Sequence, residues 1–191
     1  GFEPMQQMEL SELEQVMTAK VMGGWNLHQL TLDLELDFFV SFSSIAAVWG
    51  GAGQAHYAAA NHFLDGLTHY RRGSGLPSLS VNWGPWSGGG MAAEVELEQL
   101  RRRGIEVLSP QVGISALEQL WRRGNPQTTV ANVNWSLFKQ LYEVGGQKLL
   151  CEIEVEALAT EESKSNSEQN QLLKRLESLP SGEQYHVLRT E

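Results

Sequence analysis

The sequence predicts an open α/β fold, in which a parallel sheet carries helices and presents polar groups at its carboxyl edge. Three observations support this. Residues 38–40 form an apolar run too short for a helix, which is typical of a strand buried on both faces. A glycine loop at 50–53 then leads into an alanine-rich helix over 54–72, and a further strand follows at 78–83.

The first element is predicted to be a helix that begins at Ser11. Ser11 and Glu14 have the spacing of a capping box, in which each side chain bonds the other residue's backbone N–H. Gly23 and Gly24 are expected to loosen this helix, although the apolar pattern continues beyond them to Leu30.

The central strand, predicted over 38–42, is followed by Ser44, and the helix after the glycine loop carries Tyr57 and Asn61 on one face, since they are four residues apart. A serine hydroxyl beside a tyrosine hydroxyl has no adjacent base to make it a nucleophile. The pair suits a different task, which is to hold a carbonyl oxygen and deliver a proton to it. Spacing alone equally describes a serine that caps a strand and a tyrosine in an amphipathic helix.

The later elements follow from local signals. Gly73 and Gly75 are expected to end the central helix, and Ser109-Pro110 opens a helix that ends at Gly124. The other expected features are a Gly84-Pro85 turn after strand 78–83, a lid or surface helix within 87–104, a strand at 128–133, and a last segment that follows Asn134 at 137–142.

Composition excludes several classes of function. The net charge of −9 disfavours nucleic acid as a partner. The single cysteine, Cys151, excludes an internal disulfide and suits a cytoplasmic location. No apolar run has the length of a membrane-spanning helix, and the first residues do not read as a signal peptide.

Four stretches resemble the active-site half of a ketoreductase domain from a modular type I polyketide synthase, within the short-chain dehydrogenase/reductase superfamily. They read AKVMGGWNLHQLT, SFSS, GQAHYAAANHFLDGL and LPSLSVNWGPW. The family uses a Lys, Ser, Tyr, Asn tetrad, and its spacings place Lys20, Ser44, Tyr57 and Asn61 at those positions. The resemblance implies a Rossmann-like doubly wound parallel sheet, present here only as its C-terminal half.

The resemblance also implies the reaction. NADP(H) would serve in the reduction of a 3-ketoacyl thioester, held on the phosphopantetheine arm of an acyl carrier protein, to the 3-hydroxyacyl thioester. Tyr57 would donate the proton and Ser44 would hydrogen-bond the same oxygen. Lys20 would bind the nicotinamide ribose and assist Tyr57, and Asn61 would hold a water or orient Lys20. Gly84 and Pro85 would pass beside the nicotinamide ring, and no metal is expected.

Stereochemistry is implied by the loop before the tyrosine. Trp49, eight residues before it, marks the A-type that yields an L-hydroxyl, although Trp49 can equally be a loop-packing residue. The B-type Pro and Asn are replaced by Ala52 and His56. Gln54 stands where a His marks a subtype associated with α-methyl epimers, and Met91 is also expected near the substrate.

The sequence also predicts a domain organisation. No glycine-rich phosphate-binding turn is found, so residues 1–148 are expected to be the C-terminal part of a catalytic domain. A polar composition predicts a linker at 149–170, and the apolar helical pattern that resumes predicts a truncated acyl-carrier-like region at 171–191. The upstream half and other synthase domains are the expected partners. The alternatives are a catalytically incomplete or structural piece of the synthase, and a free-standing short-chain dehydrogenase, where Asn61 would be Lys.

Overall fold

The computed structural model describes residues 6–88, 94–144, 146 and 148–155. The chain divides into one compact unit, Gly1–Ile153, and a second, Glu154–Glu191. Leu150 is buried in one cluster with Phe138, and Ile153 packs on the same cluster, so these residues belong with the first unit. The expected boundary between catalytic domain and linker at 148 stays a prediction. The expected acyl-carrier-like region and residues 156–170 of the expected linker lie outside the described residues.

The described elements of the first unit alternate between helix and strand. Its helices are α1 Leu10–Met17, a π-helical turn Thr18–Met22, α2 Gly23–Leu30, α3 Ala46–Trp49, α4 Ala55–Gly73, α5 Glu94–Arg102, α6 Pro110–Arg123 and α7 Trp135–Glu143. Its strands are β1 Val40–Ser44, β2 Leu79–Trp83, β3 Ile105–Glu106, β4 Gln127–Val130 and β5 Asn132–Val133. No helix among the described residues is long and apolar enough to cross a membrane.

Three strands form a parallel sheet in the order β1-β2-β4, with Ser43 opposite Asn82 and Val81 opposite Thr128. One face of β2 packs its apolar side chains against Leu120 of α6. The other face carries Ser80 and Asn82, which hydrogen-bond Asp65 of α4. Helices thus cover both faces, which confirms the predicted α/β class and the partial doubly wound sheet.

The N-terminal helix differs from the prediction. Its N-cap is Glu9, whose carbonyl accepts from the N–H groups of Glu12 and Leu13, so Ser11 already lies within the helix and the predicted capping box is wrong. Gly24 does not loosen the helix: a Cβ there would stand 2.9 Å from Leu64, so glycine is what allows α2 to approach α4 closely.

The prediction that the first strand is buried on both faces is also wrong. Phe38 and Phe42 are 65% and 51% exposed. Both lie in or next to β1, which is an edge strand of the described sheet, and the Phe42 ring contacts that of Trp83 in β2. Because an edge strand has a neighbouring strand on one side only, its side chains lack flanking side chains on the other side.

Local signals placed the later elements well. The Ser109 side chain accepts from the N–H of Val112, Pro110 is the first residue of α6, and Gly124 ends α6 in the left-handed conformation with a φ of 71°. Gly75 likewise has a φ of 78° after α4, whereas Gly73 is still helical. The strand expected over 128–133 is two strands, because β5 leaves the sheet after Val130 and pairs with β3 instead.

A candidate active site at the carboxyl end of the sheet

Lys20 lies in the π-helical turn, a local widening of the helix that is frequent at functional sites. Its Nζ donates to the carbonyl of Phe42 at 3.1 Å and stands 5.9 Å from the centre of the Tyr57 ring. Burial lowers the pKa of Lys20 from its ordinary value of 10.5, and the negative charge of Asp65 opposes this by raising the pKa. The structure therefore brings Lys20 and Tyr57 together, although they are 37 residues apart.

Tyr57 and Asn61 share one face of α4, as predicted. Asn61 is fully buried and its Nδ2 donates to the carbonyl of Tyr57 at 2.8 Å. That bond uses one donor of the amide. Oδ1 is buried and has no hydrogen-bond partner among the described residues. A buried acceptor without a donor is costly, so a water or another donor bound there would stabilise the site.

Ser44 is the last residue of β1 and is buried. Its Oγ accepts from the N–H of Ala46 at 3.2 Å at the start of α3, which leaves the hydroxyl proton free to be donated elsewhere. The preceding residue, Ser43, donates to the carbonyl of Asn61 at 3.2 Å. The end of β1 is therefore tied to the turn of α4 that carries Asn61. The convergence of the Ser44 and Tyr57 hydroxyls on one ketone stays a prediction.

A buried polar network beneath this site was not predicted from the sequence. The carboxylate of Asp65 accepts from Ser80 Oγ at 2.6 Å and from Asn82 Nδ2 at 2.9 Å. The same Asn82 Nδ2 lies 3.0 Å from Ser43 Oγ. Two signals in the sequence could have indicated it: Asp65 continues the four-residue spacing of Tyr57 and Asn61, and Ser80 and Asn82 alternate with apolar residues along β2.

Two of the three predicted stereocontrol positions lie within the described residues. The Trp49 ring packs 5.1 Å from Phe138 and 6.3 Å from Trp135, both of α7, so this side chain contributes to a core cluster. Gln54 is the N-cap residue of α4, and its side chain folds over Gly51. Met91 lies outside the described residues. The role of these three positions in stereocontrol stays a prediction.

The Gly84-Pro85 turn is fixed by β4 and by the segment before α6. A Cβ on Gly84 would stand 3.2 Å from the Cβ of Ala131, and the Gly84 N–H donates to the carbonyl of Val130 at 2.8 Å. The Pro85 carbonyl accepts from Leu108 at 2.7 Å. Packing between the strand ends thus leaves little room for a side chain at this position, and contact with a nicotinamide ring stays a prediction.

The residues present fit one end of a nicotinamide dinucleotide. The Lys20 ammonium has three donors, of which the Phe42 carbonyl takes one, so it can also bond ribose hydroxyls. For the phosphate end of the dinucleotide no binding residues are identified, because the sequence holds no glycine-rich turn with the required spacing. Among the described residues, the fit is therefore limited to the ribose hydroxyls that Lys20 could bond, and this contact stays a prediction.

Comparison with known proteins gives consistent results. Residues 2–88 match the family model of the KR domain. The chain is 40% identical over 190 residues to the polyketide synthase GfsA of Streptomyces halstedii, across 97% of this chain and 2% of that protein. It is similar to a solved structure of A-type ketoreductases from a modular polyketide synthase, with 37% identity and a TM-score of 0.71 over 73% of this chain and 30% of that chain. A C2-type ketoreductase is similar too, with 36% identity and a TM-score of 0.69 over 75% of this chain and 31% of that chain.

These alignments cover only part of each relative. The chain spans 2% of GfsA and less than a third of either solved ketoreductase chain. Because A-type and C2-type structures match about equally well, similarity of fold does not distinguish these types.

Proposed function

The chain belongs to the ketoreductase domain family of modular polyketide synthases, and we propose that it supplies the proton donor and the nicotinamide-ribose subsite for reduction of a 3-ketoacyl thioester to a 3-hydroxyacyl thioester. The observation that carries this proposal is the position of Lys20 beside the Tyr57 ring, 5.9 Å from its centre. An ammonium next to a phenol favours transfer of the phenolic proton to a developing alkoxide.

Each of the four residues has a role that its contacts support. The nicotinamide supplies a hydride to the ketone carbon, and Tyr57 donates a proton to the ketone oxygen. Ser44 donates its free hydroxyl proton to the same oxygen, since its Oγ already accepts from Ala46. Lys20 holds the ribose hydroxyls with the donors that the Phe42 carbonyl leaves available. Asn61 accepts from a bound water through its unpaired Oδ1.

The finer assignments rest on the family resemblance. We propose NADPH as the reductant and a phosphopantetheine-bound substrate on an acyl carrier protein, because the resemblance to ketoreductases of modular polyketide synthases implies both; the similarity to the polyketide synthase GfsA supports that resemblance. We further propose the A-type outcome, an L-hydroxyl, from Trp49 and from the absence of the B-type Pro and Asn at Ala52 and His56. The packing of Trp49 against Phe138 is compatible with this, because it would hold the loop before α4 in one shape.

The open edge of β1 supports a role for an upstream partner segment. β1 pairs only with β2 among the described strands, and Phe38 and Phe42 beside it are more than half exposed. An exposed apolar edge is a template for another strand. We propose that the upstream half of the reductase pairs here and brings the phosphate-binding turn; in support, this chain covers only 30% of a solved ketoreductase chain.

The test is NADPH binding, measured by fluorescence titration on this chain alone and on the chain extended by its upstream half. We expect binding and reduction of a 3-ketoacyl thioester only for the extended chain. Tight NADPH binding by the chain alone would contradict the partial-site proposal. If the extended chain binds NADPH but reduces no 3-ketoacyl thioester, the assignment as a structural or inactive piece of the synthase is correct instead.

A further inference from the structure

Asp65 is the only buried carboxylate among the described residues, with 1% of its surface exposed. It lies on α4 two turns after Tyr57 and one turn after Asn61, on the same face. Its two oxygens accept from Ser80 at 2.6 Å and from Asn82 at 2.9 Å. Both bonds end on carboxylate oxygens, so they belong to the strong, charge-assisted kind.

Asn82 extends this anchoring to the end of β1. Besides bonding Asp65, its Nδ2 lies 3.0 Å from Ser43 Oγ and 3.4 Å from the carbonyl oxygen of Ser44. Its Oδ1 accepts from Gln127 Nε2 of β4 at 3.0 Å. One amide therefore joins α4, β1 and β4 at the level of the active site, and the Asp65 carboxylate holds that amide in place.

Few charges oppose the field of Asp65. The elements that pack against α4 include the strands β1, β2 and β4 and the helix α3, none of which carries an ionisable side chain. The remaining neighbours of α4 carry the exposed Glu12 and Glu14, Lys20, and His28, which is bonded to Arg71. The ionisable residues of α4 itself are His56, Tyr57, His62, His69, Tyr70, Arg71 and Arg72; of these, His62 lies 3.9 Å from the carboxylate and is 73% exposed. Solvent screens the exposed groups, and Arg71 is bonded to His28, Thr31 and Pro77. Lys20 Nζ bonds the carbonyl of Phe42, the residue before Ser43, and Asp65 raises the pKa of Lys20.

We propose that Asp65 is a positioning residue of the ketoreductase site: its carboxylate clamps Asn82 onto the end of β1, and its negative charge acts on the Lys20 ammonium, which bonds the Phe42 carbonyl on the same strand. This inference rests on the proposed function of Lys20 and Tyr57. The effect on Lys20 is supported by its pKa, which burial lowers and the charge of Asp65 raises. One buried group that touches neither the substrate nor the cofactor thereby positions Ser44 and acts on the charge of Lys20.

The test uses Asp65→Asn in the complete ketoreductase domain that contains this chain. The substitution removes the charge and keeps the shape, because the new amide can accept from Asn82 and donate to Ser80 Oγ. Two readouts are needed: the titration of Lys20 by NMR with 13C-labelled lysine, assigned with Lys20→Arg, and the pH profile of kcat. Control variants are His62→Gln, which removes an exposed neighbour, and Ser80→Ala, which removes one bond and keeps the charge.

We expect Asp65→Asn to lower the pKa of Lys20, to move the basic limb of the kcat profile to lower pH, and to reduce kcat about tenfold or more above that limb. His62→Gln and Ser80→Ala should leave the Lys20 titration unchanged. Asn82→Ala should reduce kcat by a similar factor without altering that titration, because the charge remains. An unchanged Lys20 titration in Asp65→Asn would overturn the electrostatic part, and an unchanged kcat in Asn82→Ala would overturn the clamp.

The outcomes that would overturn the role of Asp65 can be distinguished from those that would overturn the proposed function. The Lys20 titration needs no substrate, so it tests Asp65 even if the domain reduces no ketone. Conversely, an active Tyr57→Phe variant would refute the proposed chemistry and leave the Asp65–Lys20 coupling standing. If Asp65→Asn does not fold, Asp65→Glu keeps the charge on a longer side chain. A Lys20 pKa that falls in Asp65→Glu, with the fold intact, would overturn the electrostatic part.

Discussion

Replacement of Tyr57 by Phe is the sharpest test of the proposed proton donor. The change removes one hydroxyl group and keeps the ring beside Lys20. No hydrogen bond among the described residues uses that hydroxyl, and the bond from Asn61 goes to the Tyr57 backbone carbonyl, which the variant retains. We therefore expect the free energy of unfolding to change by less than about 0.5 kcal/mol.

The catalytic effect should be much larger than the effect on stability. General acid catalysis contributes about 10²- to 10⁴-fold. At about 1.36 kcal/mol for each factor of ten, loss of the donor raises the barrier by roughly 2.7–5.4 kcal/mol. The variant should thus lose kcat by that factor while its thermal midpoint and its NADPH affinity stay close to those of the parent domain.

The assay is the initial rate of NADPH absorbance loss with a 3-ketoacyl thioester, in the domain completed by its upstream half. Tyr70→Phe is the matched control, because Tyr70 lies on the same helix, is 57% exposed and stacks on His28 away from the site. It should retain activity within about twofold, as is usual for a surface change. A Tyr57→Phe variant that keeps more than about a third of the parent kcat would refute Tyr57 as the proton donor.

Three further outcomes follow from the structure. Ser44→Ala should lower kcat about 10²- to 10³-fold, measured in the same assay, and cost about 0.5–1.5 kcal/mol of stability through the lost bond to Ala46; an unchanged kcat would contradict its role. Because burial lowers the pKa of Lys20 below 10.5, the folded state binds fewer protons than the unfolded state between the folded-state pKa and 10.5. The free energy of unfolding of the parent, measured by urea titration relative to Lys20→Met, should therefore increase as the pH rises through this range. A decrease over the same range would contradict this prediction. Gly113→Ala should cost about 1–3 kcal/mol in thermal melts, because the added Cβ would overlap the Trp86 ring, whereas Gly66→Ala, which meets nothing within 4 Å, should not destabilise.

The sequence predicted the elements whose signals are local. Ser109, Pro110 and Gly124 each act within one helical turn, so their positions gave the bounds of α6 correctly. The exposure of Phe42 could not be predicted in this way, because an apolar residue in a strand is read as buried unless the position of the strand in the sheet is known. The core packing of Trp49 also depends on α7, which lies more than 80 residues further along the chain.

In the candidate site, too, some residues could be identified from the sequence, whereas the contacts that orient them could not. The tetrad residues were identified from a resemblance in spacing, but the groups that orient them depend on register, since Asn82 reaches Ser43 only because the two are opposite each other in the β1–β2 pair. A one-residue slip would turn both Ser80 and Asn82 toward α6, and Asp65 would lose both of its bonds. An apolar interface between α4 and the sheet would tolerate small shifts, whereas hydrogen bonds lose strength within a few tenths of an ångström. The polar side of this sheet therefore sets the position of the helix that carries Tyr57 more narrowly than apolar packing would, which is the property a proton donor requires.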